Sequence, residues 1–272
     1  HFYHVGLDAV ERQRRAEQDR IRHALAQGEF CLYYQPKVNL HTGEVVGFEA
    51  LARWIHPERG LIRPGEFLPL LHGSELQLEF GEWAIEQALS QMDAWRTQGI
   101  DLPVSVNVTA EHLARSDFVA RLKDLLARHP NTPPRRLELE VVESAAIADM
   151  AHVADLIKSC KQIGVCFALD DFGTGYASLT YLRRLPVGVV KIDQSFVMGL
   201  LDDVSDLAIV EGVIGLAEAF RLGVIGEGVE TDTHGRKLLE LGCVHGQGYG
   251  IAHPMPAEEV PRWLAHRRVL AL

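Results

Sequence analysis

The sequence has few of the features that mark membrane-spanning, secreted or nucleic-acid-binding proteins. No apolar run approaches the ~20 residues that span a bilayer, and we recognise no signal peptide, so we expect no membrane contact from this fragment. Lys and Arg number 27 against 37 Asp and Glu, which gives a formal net charge of −10. This balance disfavours a nucleic-acid polymer as partner, because such partners need a basic face. It remains compatible with a small anionic ligand held by a local site.

Cysteines are also scarce, and none is spaced as C-x-x-C. The four are Cys31, Cys160, Cys166 and Cys243. We expect them to be buried as small hydrophobic residues in a reducing, cytoplasmic compartment. Because the sequence begins at His1 rather than Met, we expect a longer parent protein, whose other segments would carry any membrane anchor or sensor.

Several familiar catalytic patterns are missing. The "DFG" at 171–173 matches a protein-kinase motif, but neither a glycine-rich strand loop nor an H-R-D loop accompanies it. The "GQGYG" at 246–250 lacks the G-x-G-x-x-G spacing of dinucleotide-binding folds. The 13 histidines include no H-E-x-x-H pair. These absences disfavour kinase, dinucleotide-binding and zinc-protease functions.

What is present is a regular alternation of strand and helix patterns. Charged, helix-favouring residues from Asp8 to Gln27 indicate a helical lead-in or interdomain connector over 1–28, followed by a folded domain over 29–268. The sparse apolar positions of this segment would also suit a solvated helix. Eight stretches have strand character: "FCLYYQPKV", "VVGFEALARW", "LPVSVNV", "RLELEVV", "VCFALD", "VGVVKID", "GVIGEGV" and "CVHGQGY".

The connections between these stretches predict the fold class. The first two strands are joined by "LHTGE", which is too short for a parallel crossover, so they are antiparallel. Helical patterns fall at 75–98, 117–129, 149–163, 178–184, 204–221, 232–241 and 256–266. Apolar strands of this kind are buried on both faces. We predict an α/β fold, a TIM-like (β/α)8 barrel with one antiparallel strand near the N-terminus; the alternative is a doubly wound open sheet.

Almost every predicted strand delivers a charged or amide side chain to its C-terminal end, where such barrels carry their reactive groups. These side chains are Glu49, Asn107, Glu140, Glu143, Asp170, Asp171, Lys191, Asp193, Glu227, Glu230 and Gln247. Carboxylates that converge in a low-dielectric mouth repel each other unless cations offset their charge. Oxygen ligands suit Mg²⁺ or Mn²⁺ rather than Zn²⁺, and a pair of such ions can clamp a phosphate ester during hydrolysis. Taken singly, each acid could instead be a turn former, a cap or an ion-pair partner.

The adjacent acids Asp170 and Asp171 pose a separate problem. Successive strand residues point to opposite faces, so both can serve one site only if the chain turns there. The "FGTG" that follows supplies a flexible backbone for such a turn.

Seven motifs occur in a familiar order: "YYQPKVNLHTGEVVGFEALARWIHPERG", "VSVNVTA", "LELEVVES", "LDDFGTGYASL", "VVKID", "GEGVET" and "GQGYGIAHPMP". From about Phe30 to Met255 the chain resembles the EAL family of cyclic di-GMP phosphodiesterases. The resemblance implies a barrel that uses two Mg²⁺ or Mn²⁺ ions to hydrolyse cyclic di-GMP to linear 5′-pGpG. Because Ca²⁺ is larger and tolerates looser geometry, we expect it to occupy the site and inhibit. The resemblance also implies a homodimer that pairs through helices near the fifth and sixth strands, and an upstream GGDEF or sensory domain in the parent protein.

The resemblance further implies roles for individual residues. It assigns metal ligation to Glu49, Asn107, Glu140, Asp170, Asp171 and Glu227, with Asp170 bridging. Lys191 would hold the water and phosphate, Glu227 would act on metal-bound water, and Gln247 would lie near the nucleophile. Glu143 would order the loop after the fifth strand. It assigns substrate contacts to Gln35, Leu51, Arg53, Asp193, Gln247 and Pro254.

Departures from the family pattern lie away from the expected metal ligands. Val142 replaces a threonine, which removes one hydroxyl hydrogen bond. On the segment after the second strand, Leu71-His72 replaces an Ala-Glu pair and Glu75 replaces a glycine. Every matched metal position keeps its oxygen ligand, which favours an active phosphodiesterase. The alternative is a receptor that binds cyclic di-GMP without cleaving it and signals through the lead-in segment.

Overall fold

Strands and helices alternate along the chain in the computed structural model, which describes residues 2–143, 150–174 and 179–266. The strands are β1 (Phe30–Asn39), β2 (Val45–His56), β3 (Gly60–Ile62), β4 (Val104–Val108), β5 (Leu137–Val142), β6 (Cys166–Phe172), β7 (Val189–Ile192), β8 (Gly223–Gly226), β9 (His245–Gly246) and β10 (Met255–Pro256). The helices are α1 (Phe2–Ala26), α2 (Pro64–Leu71), α3 (Glu75–Arg96), α4 (Ala110–Leu113), α5 (Phe118–Arg128), α6 (Met150–Gln162), α7 (Leu179–Arg184), α8 (Gln194–Gly199), α9 (Val204–Phe220), α10 (Asp232–Glu240) and α11 (Val260–His266). A 3-10 turn covers Pro134–Arg136.

Eight of the strands close into a barrel. From β2 through β4, β5, β6, β7 and β8 to β9, each strand pairs in parallel with the next. The first strand, β1, is antiparallel to both β2 and β9 and joins the two ends of this sheet. The predicted barrel with one antiparallel strand is therefore confirmed, and the open-sheet alternative is wrong because an open sheet would leave β2 and β9 unjoined.

The main apolar core lies between the barrel strands and the surrounding helices. Trp95 on α3 is a typical member: its ring centroid lies 4.6 Å from that of Tyr34 on β1 and 5.4 Å from that of Phe48 on β2. All three residues are almost fully buried. Aromatic pairs at this separation contribute about 0.5–1.5 kcal/mol beyond their burial. This packing fixes the first two strands, which supply five of the site residues described below.

The C-terminal part of α1 packs against the barrel instead of lying free in solvent. Ile21 and Ala24 are fully buried in a second apolar cluster that includes Phe30 of β1. Gln18 Nε2 also donates a 2.9 Å hydrogen bond to the Leu70 carbonyl oxygen on α2. The solvated-helix alternative is therefore wrong for these last turns. The division of the chain at residues 28 and 29 stays a prediction.

Several details differ from the sequence-based expectations. Cys160 and Cys243 are buried as predicted, but Cys166, the first residue of β6, is exposed and Cys31 is half-buried. The last helix begins at Val260 rather than 256, because Met255–Pro256 pairs with β1 instead. The six-residue α8 was not predicted. Among the described helices, none combines the length and apolar character that a bilayer crossing requires.

Candidate active site

Strand register brings acids from different strands to one level at the C-terminal mouth of the barrel. Gln35 of β1 pairs with Glu49 of β2, and Asn107 of β4 pairs with Glu140 of β5. Glu140 is fully buried and Glu49 is 5% exposed. Each stands inside the barrel because alternate strand residues face the same side. These side chains meet inside the barrel as predicted, but Glu49 is the fifth residue of the 12-residue β2 instead of lying near its end, because β2 continues to His56 and pairs with β3.

Lys191 of β7 lies at the centre of this group and is fully buried. Its Nζ is 2.6 Å from Glu140 Oε2 and 2.7 Å from Glu227 Oε1. It is also 3.0 Å from Asp170 Oδ1 and 3.2 Å from Glu49 Oε2. One ammonium therefore faces four carboxylates, which we call the carboxylate cluster. A single positive charge cannot neutralise four negative ones, so protons or further cations must balance the remainder.

The excess of negative charge in the cluster is reduced because some of its acids have raised pKa values and keep their protons. Burial raises the pKa of Glu227 to about 8 and that of Asp170 to about 7, with Lys191 opposing both shifts. Burial acts in the same direction on Glu140, but the ammonium groups of Lys191 and Lys37 outweigh it and lower the pKa of Glu140 to about 2. The site therefore contains one firmly ionised carboxylate beside two that hold protons near neutral pH.

We expect the metal-free protein to lose stability as the pH rises from about 5 to about 8. Raised pKa values mean that folded Asp170 and Glu227 retain protons that the unfolded chain releases above their ordinary pKa values of 3.8 and 4.5. Their contribution is therefore complete at low pH and is lost as the pH passes 7 and then 8. Urea unfolding in EDTA should show a loss on the order of 6 kcal/mol. Glu227→Gln should flatten the profile, and a free energy of unfolding that rises over this range would contradict the assignment.

Glu49 is the most connected acid of the cluster. Its Oε1 accepts a 2.9 Å hydrogen bond from Asn107 Nδ2, and its Oε2 accepts a 2.7 Å bond from Gln247 Nε2. Gln247 also donates to Gln35 Oε1 at 3.0 Å, and Gln35 donates to the Ala252 carbonyl at 3.1 Å. These bonds hold the Glu49 carboxylate in one orientation, with neighbours from β1, β4 and the segment after β9.

The backbone turns where the paired aspartates require it. Asp171 has φ +53°, in the left-handed region, and the β6–β7 register shifts between Leu169 and Phe172. Burial and the neighbouring Asp193 raise the pKa of Asp171. The turn lets Asp170 and Asp171 serve the same mouth, which a regular strand would prevent.

Two groups of acids could each hold a metal ion, and they share one residue. Glu49, Glu140 and Asp170 form one group, and Asp170, Asp171 and Glu227 form the other, with ligand atoms within 4.8 Å of one another in each. Asp170 Oδ1 is buried and lies 3.0 Å from the Lys191 ammonium. Two acid groups whose donors are all oxygen, and which share this one carboxylate, fit a pair of divalent cations that prefer oxygen ligands.

Other predicted site residues lie around the cluster. Glu143 Oε2 accepts a 2.9 Å hydrogen bond from the Gly173 N–H after β6. Asp193 Oδ1 accepts a 2.9 Å bond from the Ser195 N–H, so this carboxylate caps α8. Glu230, expected at the same edge, is exposed and belongs to neither metal group, because β8 ends at Gly226 and the chain then turns through Gly228 at φ +70°.

Four of the predicted substrate-contact residues, Gln35, Leu51, Arg53 and Pro254, lie on or beside β1 and β2, whereas Asp193 follows β7 and Gln247 follows β9. Arg53 is half-buried, donates from Nη1 to the Ala52 carbonyl at 2.8 Å, and lies over the Tyr33 ring at 5.4 Å. Leu51 and Asn107 both line a largely apolar cavity of about 580 Å³ between β2, β4 and α3. Pro254 is half-buried just before β10.

Sequence reasoning missed Lys37. Its Nζ donates to Glu140 Oε1 at 2.8 Å from beneath the cluster, and the residue is only 3% exposed. The period-2 rule contained the signal, because Lys37 is two residues from Gln35 on β1 and therefore faces the barrel interior.

Comparison with known proteins agrees with this geometry. The family model described as "EAL domain" matches residues 18–254. The bifunctional diguanylate cyclase/cyclic di-GMP phosphodiesterase MucR of Pseudomonas aeruginosa is 38% identical over 260 residues, which cover 95% of this chain and 38% of MucR. Cyclic di-GMP phosphodiesterase PA2567 of the same organism is 36% identical over 263 residues, which cover 96% of this chain and 45% of that protein. The chain thus spans less than half the length of these curated relatives.

Solved structures resemble the whole domain. The PaMucR phosphodiesterase in complex with c-di-GMP has a TM-score of 0.86 and 40% identity, covering 90% of this chain and 99% of that one. The EAL enzyme Bd1971, with cAMP and cyclic di-GMP bound, has a TM-score of 0.88 and 32% identity, covering 96% of this chain and 72% of that one.

Proposed function

Since this chain belongs to the EAL domain family, we propose that it hydrolyses one phosphodiester bond of cyclic di-GMP to give linear 5′-pGpG. The observation that carries the proposal is the pair of oxygen-only acid groups that share Asp170 at the barrel mouth. Relatives of this chain bear the name cyclic di-GMP phosphodiesterase, and a similar domain has been solved with c-di-GMP bound. The substrate is a compact anion, which is consistent with a local site on a chain of net charge −10.

The residues that would hold the two ions are Glu49, Asn107, Glu140, Asp170, Asp171 and Glu227. Mg²⁺ or Mn²⁺ bound there would supply positive charge that makes water more acidic and stabilises the leaving 3′-oxygen. Asn107 Nδ2 already donates to Glu49, so its amide oxygen remains as the atom for an ion. We infer that both positions are filled in the active enzyme.

This chain's own side chains would handle the proton and the phosphate. Burial raises the pKa of Glu227 to about 8 in the metal-free chain, and its ionised form, which bound cations would favour, would take a proton from the attacking water. The Lys191 ammonium, ionised among the carboxylates, would hold the water and a phosphate oxygen. Gln247 fixes Glu49 and lies beside this reaction centre. Glu143 would stabilise the chain after β6 through Gly173.

The rim would position the nucleotide. Arg53 has a guanidinium that can contact a phosphate with two parallel N–H donors. We propose that Leu51 and Pro254 contact the nucleotide through their apolar surfaces, while Gln35 and Asp193 supply polar contacts. Gln35 is held ready by its bond to the Ala252 carbonyl.

The function is tested by incubating the purified chain with cyclic di-GMP and Mg²⁺, Mn²⁺ or Ca²⁺ in parallel, and following pGpG by chromatography. We expect product with Mg²⁺ and Mn²⁺ and little with Ca²⁺, which is larger and tolerates looser coordination. Cyclic di-GMP binding without product in all three metals would overturn hydrolysis and indicate the receptor function instead.

We also propose that the domain acts in the cytoplasm within a longer parent protein that carries a GGDEF or sensory domain upstream. The four cysteines are free, which supports a reducing compartment. The relative MucR is named for both a diguanylate cyclase and a phosphodiesterase, which supports an upstream cyclase-like domain.

We expect a homodimer that pairs through an exposed apolar patch on α8 and the start of α9. Met198, Leu201 and Val204 are 46%, 42% and 81% exposed. Such a patch is covered in many assemblies. Sedimentation at micromolar concentration should show a dimer that Val204→Glu converts to monomer. Leu61→Glu, at an exposed position on β3, should leave it intact, and a monomeric parent chain would contradict the prediction.

A further inference from the structure

Beneath the carboxylate cluster lies a second buried polar layer, which we call the lower layer, formed by Lys37, Ser105 and Glu138. Lys37 of β1 and Ser105 of β4 are 3% and 1% exposed. The interior of such a barrel is ordinarily filled by bulky apolar side chains. A buried ammonium costs free energy unless it is well paired, so its presence at this depth calls for a specific role.

The Lys37 ammonium has no hydrogen-bonding freedom left. It donates to Glu138 Oε1 at 2.9 Å, to Glu140 Oε1 at 2.8 Å, and to the Ser105 hydroxyl. A lysine has three N–H donors, so all of them are used. Ser105 in turn donates to Glu138 Oε1 at 2.6 Å. The ammonium is therefore fixed in position directly under Glu140.

Glu140 is the residue that joins the lower layer to the cluster. Its two oxygens face different lysines: Oε1 receives the Lys37 bond, and Oε2 lies 2.6 Å from Lys191 Nζ. Lys191 is in turn surrounded by the other acids of the cluster, so Oε2 is the oxygen on the metal side. As long as Lys37 holds Oε1, the plane of the carboxylate is set and only Oε2 faces an ion.

We propose that Lys37 is a positioning residue that makes Glu140 a one-oxygen metal ligand and thereby favours Mg²⁺ and Mn²⁺ over Ca²⁺. The proposal rests on the metal-dependent function inferred above. Mg²⁺ requires near-ideal octahedral geometry, whereas Ca²⁺ takes about 6–8 oxygens and often binds both oxygens of one carboxylate. When Lys37 occupies one oxygen of Glu140, the affinity for Ca²⁺ is therefore lowered more than the affinity for Mg²⁺.

Lys37 could have a purely structural role, which would be to neutralise Glu138. The contacts of the two carboxylates argue against this as its whole role. The Glu138 side chain is 16% exposed and already accepts from Ser105, whereas the Glu140 side chain is fully buried. Lys37 therefore bonds a metal-site carboxylate that has no contact with solvent, in addition to pairing with Glu138. The role in metal preference also makes a prediction that simple neutralisation does not make.

The test compares Lys37→Met/Glu138→Gln with Glu138→Gln alone. The double substitution removes the ammonium together with the charge of Glu138, so no unpaired charge stays in the lower layer. Each full chain, stripped of metal and checked by circular dichroism, is titrated calorimetrically with Mg²⁺ and separately with Ca²⁺, without substrate. We expect Glu138→Gln to keep the ratio of the two affinities within about threefold of the parent. The double variant should lose about 10–100-fold in Mg²⁺ affinity and much less in Ca²⁺ affinity.

A third variant, Lys37→Gln/Glu138→Gln, retains an amide N–H for Glu140 Oε1 and should restore much of the preference for Mg²⁺. Equal losses for both ions, or a preference unchanged in Lys37→Met/Glu138→Gln, would overturn the positioning role while leaving the metal-dependent function standing. A parent chain that binds no Mg²⁺ would overturn both.

Discussion

Glu49→Gln should lower kcat/KM for cyclic di-GMP by more than about 100-fold, which raises the barrier by more than ~2.7 kcal/mol. Asn107, Gln247 and Lys191 all donate to the Glu49 carboxylate. A glutamine keeps the shape but has one oxygen and an NH₂ group, so at least one donor would face another donor. It also removes a negative charge from the first metal group. Initial rates of pGpG formation at saturating Mg²⁺ measure the effect.

The matched control is Glu44→Gln, an exposed glutamate in the turn that precedes the same strand. It removes the same charge from the protein without touching the cluster, so its rate should match the parent. Activity of Glu49→Gln within about tenfold of the parent, a difference of ~1.4 kcal/mol, would show that Glu49 is not a metal ligand.

Lys191→Met should destabilise the metal-free protein by about 3–5 kcal/mol. The substitution removes the ammonium that lies within 3.2 Å of all four carboxylates, and it leaves those acids buried beside one another. Mg²⁺ should recover much of this loss, because the ions replace the missing positive charge. Turnover should stay low even with metal, since no ammonium would hold the water and phosphate. Urea unfolding with EDTA and with excess Mg²⁺ separates the two effects.

Lys158→Met serves as the control, since Lys158 is exposed on α6 and forms an ion pair with Asp155 one turn away. It should change the free energy of unfolding by less than about 0.5 kcal/mol. If Lys191→Met is as stable as the parent in EDTA, the four acids do not depend on the lysine and the charge balance described here is wrong.

The barrel and its principal acids were predictable because the alternation of strand residues and the lengths of the connections determine them. The short "LHTGE" turn requires an antiparallel first pair, and strand alternation then directs Glu49 and Glu140 into the barrel interior. The left-handed turn at Asp171 was foreseen as a requirement of adjacent acids, and the backbone meets it. Nothing in these steps needs long-range packing.

The features that the sequence could not predict depend on the positions that side chains take in the folded barrel. In the sequence, Lys37 looks like an ordinary strand lysine. Only the closed barrel brings Glu140 of β5 within hydrogen-bond distance of Lys37 on β1. Glu230 looked equivalent to Glu227, but the turn through Gly228 directs it to solvent. The exposure of Cys166 likewise follows from its place at the first position of β6.

The reversed first strand also decides where the rest of the chain meets the barrel. In an all-parallel barrel of this type the first strand starts at the face opposite the reactive groups. Here β1 runs the other way, so Phe30 enters the barrel at the mouth, and α1 reaches it there and packs on that residue. Residues that precede β1 thus approach from the same side as the substrate and within reach of β2, the strand that bears Glu49.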